Sequence, residues 1–392
     1  MTRAGVAGRE MGARVDRARL ALGLLCLGAM ALPFVTVRPS RIGQPRPVPL
    51  SELVGPAGLV LCALLALALL GGLVLSRRPG ARVALALAGV AAVLLGVGQA
   101  ASVLAAATGP YARVSPGAGA WTLLGLLGLF FTDAASRLPL GATGKLLLGA
   151  GVLAGLVLLL ASPPLAALSL MVEYRNRATS FWTAGAQHLL LAGGSFAAAL
   201  AIGVPLGLVA ARSRRIAGPL LGALTAVQTV PSIAMFGLMI VPLGWVAAHV
   251  PLAADLGVRG IGMAPALAAL FLYALLPVVG NTVAGLRGVA PATLEAASAM
   301  GLDPRQRLWR VEVPLALPVI LTGARIVLVQ NIGLATVGAL IGAGGFGAFV
   351  FQGIGQTATD LVLLGALPPV ALAALAALIM NALIARVPGS GA

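Results

Sequence analysis

The run ALALAGVAAVLLGVGQAASVLAAA, residues 84–107, carries no charged side chain from end to end. A stretch of this kind has one main way to satisfy its backbone away from water. An α-helix of ~20 apolar residues crosses a bilayer with its N–H and C=O groups paired inside the segment. The run does not alternate apolar with polar positions, so it is no strand of a membrane barrel, whose period is two. Ten such spans can be drawn, near 20–37, 54–76, 82–107, 118–136, 146–170, 186–211, 217–247, 262–285, 316–342 and 361–385. Composition agrees: 60% of residues are hydrophobic and 9% charged, against ~25% charged in soluble domains. The expected fold is an all-α polytopic membrane protein of about ten transmembrane helices. Its abundant Ala and Gly suit close helix packing in lipid.

The net charge of +16 is explained by topology and implies no nucleic-acid partner, because basic residues collect in cytoplasmic loops. With the N-terminus inside, eighteen basic residues fall in cytoplasmic segments: Arg3, Arg9, Arg14, Arg17, Arg19, Arg77, Arg78, Arg82, Arg137, Lys145, Arg212, Arg214, Arg215, Arg287, Arg305, Arg307, Arg310 and Arg386. Seven fall outside: Arg38, Arg41, Arg46, Arg113, Arg175, Arg177 and Arg259. Arg325 lies within a span and is placed to snorkel toward the cytoplasm. The layout predicts both termini inside and residues 286–315 in the cytoplasm. The first outer loop, with three arginines, runs against the rule. An Arg-rich start before an apolar run has the look of a signal peptide, but the run is long for one and lacks a small-residue cleavage site, so a retained helix is expected.

Several classes fall away on spacing. GAGGFG (342–347) satisfies G-x-G-x-x-G but follows a transmembrane helix and lacks an acidic residue ~20 positions on, so it reads as a glycine turn. GATGK (141–145) lacks the first Gly and the Ser/Thr of a phosphate loop, and the chain is not expected to hydrolyse ATP. Cys26 and Cys62 have no metal or redox spacing, and His188 and His249 stand far apart, so no metal site is expected. No enzyme motif and no carboxylate pair lies in a span.

The polar exception is EAASAMGLDPRQRLWRVEVP, residues 295–314, with six formal charges. Pro291 suits the first turn of a short helix, and Glu295, Ala296, Ala297 and Ala299 are strong helix formers. Glu295 near that N-terminal turn opposes the dipole. Gly301 suits the left-handed position after the helix. Asp303 can cap a second helix opening at Pro304, with Gln306 reaching back. That helix carries Arg305, Leu308, Trp309 and Glu312, and is expected to end at Pro314. Two short helices about a Gly-Leu-Asp bend make a knob standing off the membrane.

Glu-Ala-Ala, Gly six residues after the Glu, Val311 ten after the Gly and Pro314 three later resemble the EAA loop of ABC importer permeases. The similarity extends over roughly 185–385. QTVPSIAMFGLMIVPL (228–243), LFLYALLPVVGNTVAGLRGV (270–289), PLALPVILTGAR (314–325) and GALIGAGGFG (338–347) resemble permeases of the osmoprotectant branch, which import glycine betaine, choline or related quaternary ammonium compounds. The resemblance implies a type I importer permease core over 176–392, with a coupling loop at 286–315 in which Glu295, Ala296, Ala297, Gly301, Asp303, Arg305, Val311 and Pro314 serve docking. It implies as partners a cytoplasmic ABC ATPase carrying ATP and Mg, an extracytoplasmic solute-binding protein and a second permease copy, within the lipid of the inner membrane. No cofactor is implied in this chain. Residues 1–175 form an extension of about five spans outside the resemblance, for which a bracing role is the simplest expectation.

Polar groups inside spans usually face a bundle interior. Gln228, Thr229, Pro231, Ser232, Asn281, Gln330 and Asn331 are therefore candidates for the translocation path. Trp245, Phe236 and Tyr273 are candidate aromatic faces for a cationic solute. For each polar residue an interhelical hydrogen bond worth ~1 kcal/mol is the competing explanation. Gly342, Gly344, Gly345 and Gly347 are candidate gate or turn positions. A methionine or other amino-acid importer shares the loop and remains an alternative. An ion-coupled secondary transporter needs mid-membrane ionisable groups, of which the C-terminal half offers only Arg325.

Overall fold

Proline and β-branched residues decide where the first described helix stops. In the computed structural model, which describes residues 17–41 and 43–387, α1 covers Arg17–Ala29. Pro33 cannot continue a helix, and the β-branched Val35-Thr36-Val37 that follows favours a pleated chain. The expected span 20–37 is thereby corrected: the helix ends at Ala29, 30–34 turn, and the last residues enter strand β1, Val35–Arg38. Strand β1 pairs antiparallel with β2 (Arg46–Val48) on one side and β3 (Arg113–Pro116) on the other, with Val35 opposite Val48 and Val37 opposite Val114. Nothing in the apolar pattern announces this sheet. Arg3, Arg9 and Arg14 lie outside the described residues.

Long helices follow: α2 (Leu50–Leu75), α3 (Pro79–Thr108), α4 (Ala118–Ser136) and α5 (Ala142–Leu160), then the short α6 (Ser169–Asn176). Contacts divide the chain into two units, and α5 between them. Val152–Arg175 belongs with the segment that ends at Gly141, and Ala142–Gly151 belongs with everything from Asn176 onward. In unit 1 the sheet packs Val35, Val37, Val48 and Val114 against Val97, Ala100 and Ala101 of α3. A second cluster joins Cys26, Leu73, Ala86, Leu127 and Phe130. Two of the three first-loop arginines that strained the charge rule, Arg41 and Arg46, are held by carboxylates, and so is Arg113 of a later outer loop. Arg41 and Arg113 both pair with the buried Glu173 of α6, and Arg46 pairs with Glu52 at 2.8 Å.

Unit 2 is built on α7 (Ala178–Arg212), α12 (Met263–Arg287), α15 (Val313–Ala335) and α17 (Thr359–Ile384). Small residues let these helices approach: a Cβ on Gly207 would meet Thr282 at 2.5 Å, and one on Gly323 would meet Asn281 at 2.6 Å. The expected span 217–247 is broken. It becomes α8 (Arg214–Thr229), α9 (Ser232–Leu238) and α10 (Ile240–His249), with α11 (Pro251–Asp255) after them. The break falls at Val230-Pro231, where proline withholds a donor from the ladder. Among the described residues nine helices are long and apolar enough to cross a membrane.

Candidate functional site: the polar knob and the helices it grips

The loop 286–315 folds as two short helices about one glycine. Helix α13 (Pro291–Ala299) begins with its proline in the first turn. It closes with two bonds of a left-handed glycine cap: Gly301 N–H to Ser298 O at 3.0 Å and Leu302 N–H to Ala297 O at 3.2 Å, with Gly301 at φ +79°. Asp303 Oδ1 then accepts from the N–H groups of Arg305 and Gln306, both at 2.8 Å, while Gln306 Oε1 accepts the Asp303 N–H at 3.3 Å. This reciprocal cap opens α14 (Pro304–Arg307). Glu295 is the fifth residue of α13, past the first turn, so its expected support from the helix dipole is corrected to a weak one. Ala297 is buried; Glu295, Ala296, Arg305, Met300 and Trp309 are exposed, and Val311 is half-buried.

Pro314 does not end the second helix. The chain turns through a wide π segment, Leu308–Glu312, and continues into α15 with Pro314 in its opening turn. The extra residue in the π turn accommodates a ring that would crowd a regular α-helix and a donor that is absent. The knob is thus the direct extension of a membrane helix. Leu308 and Val313 seat it against Leu286, Ala316 and Ile320.

Charge completes the seating. Glu312 is buried and accepts from Arg212, at the end of α7, at 2.8 Å and from Arg307 of α14 at 3.1 Å. Arg307 also donates to Ser298 Oγ at 3.1 Å. Arg287, at the end of α12, donates to the Ala210 carbonyl of α7 at 3.0 Å. Four segments of one end of the unit are thereby tied around the knob. Glu312 was visible in the sequence only as one more charge, since its partner Arg212 stands a hundred residues away.

The candidate path residues occupy separate helix crossings. Gln228 of α8 donates to Tyr273 O of α12 at 2.8 Å, and the Tyr273 hydroxyl donates to Val230 O at the break before Pro231. Thr229 and Pro231 are exposed and Ser232 is half-buried. Asn281 donates to its own helix at Pro277 O, 2.8 Å. Asn331 is buried and donates to Ser195 Oγ of α7 at 2.8 Å; Gln330 beside it is half-buried. Among the described hydrogen bonds none joins one of these residues to another. Phe236 and Tyr273 are buried in the main apolar cluster, whereas Trp245 is exposed and stacks on His249. Arg325 is not a lone snorkelling cation: it donates to Asn381 of α17.

The glycine segment is a built turn. Gly342, Gly344 and Gly345 all take positive φ, between +76° and +79°, after a short 3₁₀ turn at Val337–Ile341. Gln187 of α7 accepts the Gly345 N–H at 3.0 Å, and a Cβ on Gly344 would fall 2.1 Å from that same amide oxygen. His188 bonds Ile332 O through Nε2 at 2.9 Å, and its ring lies 5.4 Å from that of Phe346. Gly347 opens α16 (Gly347–Gly355) with its Cα so near Thr336 O that a Cβ would lie 1.9 Å from it. Gln187 and His188 escaped the sequence reading as site residues. Two adjacent polar side chains in an apolar span are the signal that marks them.

Comparison with known proteins places both parts. Residues 203–388 match the family described as binding-protein-dependent transport system inner membrane component. Residues 14–171 match the N-terminal domain of the ABC transporter permease YehY. The osmoprotectant import permease protein OsmW of Salmonella typhimurium is 44% identical over 181 residues, 46% of this chain and 79% of that protein. The carnitine transport permease protein OpuCB of Listeria monocytogenes is 37% identical over 187 residues, 48% and 78% of the two chains. The choline transport system permease protein OpuBB of Bacillus subtilis is 37% identical over 172 residues, 44% and 72% of the two. Among solved structures, an inward-facing MetNI methionine ABC transporter aligns with TM-score 0.44 at 23% identity, over 53% of this chain and 96% of that one. The fold and the matched core define a multi-pass inner-membrane permease of the type I importer fold. More particularly, the chain belongs to the family of binding-protein-dependent transport inner-membrane components, the permease subunits of ABC importers.

Proposed function

We propose that this permease carries an osmoprotectant, a quaternary ammonium compound such as glycine betaine, carnitine or choline, into the cell. The substrate class is supported by the printed functions of its relatives. A separate ATPase, holding ATP and Mg, docks on 286–315, a solute-binding protein delivers the cargo from outside, and a second permease copy completes the path. Both termini lie on the cytoplasmic side. This chain holds no cofactor and performs no chemistry on its cargo.

The observation that carries the coupling role is the knob: rigidly capped, exposed at Glu295, Met300 and Trp309, and continuous with α15. A push on α13 and α14 reaches α15 directly, α7 through Glu312–Arg212, and α12 through the Leu308 and Val313 contacts. Such a device couples two sites by favouring one arrangement of the helices over another.

The test is ATP-dependent uptake in proteoliposomes holding the chain, its ATPase and its binding protein. Labelled glycine betaine or choline should accumulate. Gly301→Pro or Glu295→Lys should abolish uptake and loosen ATPase co-purification while the chain still inserts. Unchanged uptake and co-purification in both variants would overturn the coupling role. Accumulation of methionine instead would overturn the substrate class alone. Uptake driven by an ion gradient without ATP would overturn the importer reading as a whole.

A further inference from the structure

A groove in unit 1 has no part in coupling or transport as described. Helix α2 is held at both ends but not between them. Leu50 and Leu53 pack beside the sheet, and Leu70 and Leu73 are buried in the cluster that holds Ala86 and Phe130. Between these contacts no described side chain of α2 is buried. Near the sheet the helix is kinked at Gly55, with φ +66° and ψ 178°, just ahead of Pro56. The space left among α1, α2, α3 and α4 is a cavity of about 460 Å³. On α3 it runs from Gly89 to Leu104, fifteen residues apart. That is ~22 Å of helix, more than the ~15 Å of hydrocarbon in one leaflet. The lining is apolar except for Glu52 and Gln99, both toward the sheet, and the thiols of Cys26 and Cys62.

We infer that this groove seats one acyl chain of phosphatidylethanolamine, with the amine-bearing headgroup at Arg46 and Glu52. Depth argues for a lipid chain. Helices α2, α3 and α4 are long and apolar enough to cross the bilayer, so the space between them lies at hydrocarbon depth. Leu65 lines the groove and is 62% exposed, and Leu61 and Leu64 beside it are nearly as open, so the groove gives sideways onto lipid. Apolar space of this kind stays dry, and hydrocarbon is what reaches it. Polarity then sets the direction of the chain. The Arg46–Glu52 pair at the sheet end is exposed on both sides and costs little to open. A phosphate against Arg46 and an ammonium against Glu52 match it charge for charge. The Gln99 side chain has no partner among the described hydrogen bonds, and an amide at that depth needs one. A lipid ester carbonyl, which lies between headgroup and chain, can accept from it.

The test uses the full-length protein in phosphatidylglycerol vesicles with a trace of phosphatidylethanolamine carrying a diazirine midway along one chain. Illumination should label Cys62, Leu69 and Ala92, and excess plain phosphatidylethanolamine should suppress this more than excess phosphatidylcholine. Ala92→Phe fills the groove from an exposed position on α3. It should cut that labelling roughly tenfold, the worth of about two buried methylene groups, and leave labelling of the lipid-facing Leu61 and Leu64 unchanged. Ala66→Phe, from the α2 wall, should do the same. Glu52→Gln should bring labelling down to the level of a phosphatidylcholine probe with the same chains, since a choline headgroup has no N–H to donate. Groove labelling that survives both phenylalanine variants, or that merely equals labelling at Leu61 and Leu64, would overturn the chain site. Equal labelling of the unaltered protein by the two probes would overturn the headgroup assignment. Oxidative cross-linking of Cys62 between two chains would give this face to a second copy and overturn the lipid as its occupant.

Discussion

Glu312 shows how much one buried carboxylate can organise. Its side chain is 4% exposed, while Arg212 and Arg307 are 45% and 29% exposed. The asymmetry sets the sign of a prediction. Glu312→Gln frees two arginines that water can reach, a loss of ~1.5–3 kcal/mol for bonds to charged groups. Removing both arginines, as Arg212→Met with Arg307→Met, strands a buried carboxylate and should cost ~3–5 kcal/mol. Apparent melting temperature in detergent should fall further for the double arginine variant than for Glu312→Gln; the reverse order would show that the carboxylate is rehydrated and the pairs are superficial. A similar ordering applies in the glycine turn. Gly342→Ala meets open space but keeps φ at +79°, a strain of ~1–2 kcal/mol. Gly347→Ala would place a Cβ 1.9 Å from the Thr336 carbonyl, so backbone must move. Thermal unfolding should rank Gly347→Ala as clearly the more damaging of the two.

Helix ends in the knob were readable residue by residue. Pro291, Gly301, Asp303 and Gln306 act within a few positions of themselves, through a fixed φ, a left-handed φ and two side-chain caps, and the structure has each in that role. Pro314 was misread because its effect depends on the turn before it: a regular helix would stop there, whereas a π turn carries the chain through. The same limit hid the sheet, whose three strands are short and come from segments up to eighty residues apart. The cap itself is open to test. Asp303→Ala should cost ~1 kcal/mol locally. Amide exchange at Arg305 and Gln306 should speed up severalfold while global melting stays unchanged; unaltered exchange would mean the knob is held by Glu312 alone.

Two units divide the polypeptide, and the partition bears on how it can be cut. Ala142–Gly151 belongs with unit 2, where a Cβ on Gly149 would meet Leu378 of α17 at 2.2 Å. We expect a chain begun at Ala142 to be recovered from membranes in better yield and with a higher melting temperature than one begun at Asn176. Equal behaviour would mean that the first turns of α5 contribute nothing to that unit. Apolar length, proline, glycine and capping chemistry are local properties, so the membrane-spanning character, most helix positions and the capped knob could be read from residue order. What the residue order left open was which distant charged and polar groups meet: Glu312 with Arg212, Glu173 with Arg41 and Arg113, Asp133 with Arg19 and Arg82, and Arg325 with the Asn381 amide. Helical bonds close within four residues and need only the local sequence, whereas these pairs exist only once whole helices have packed.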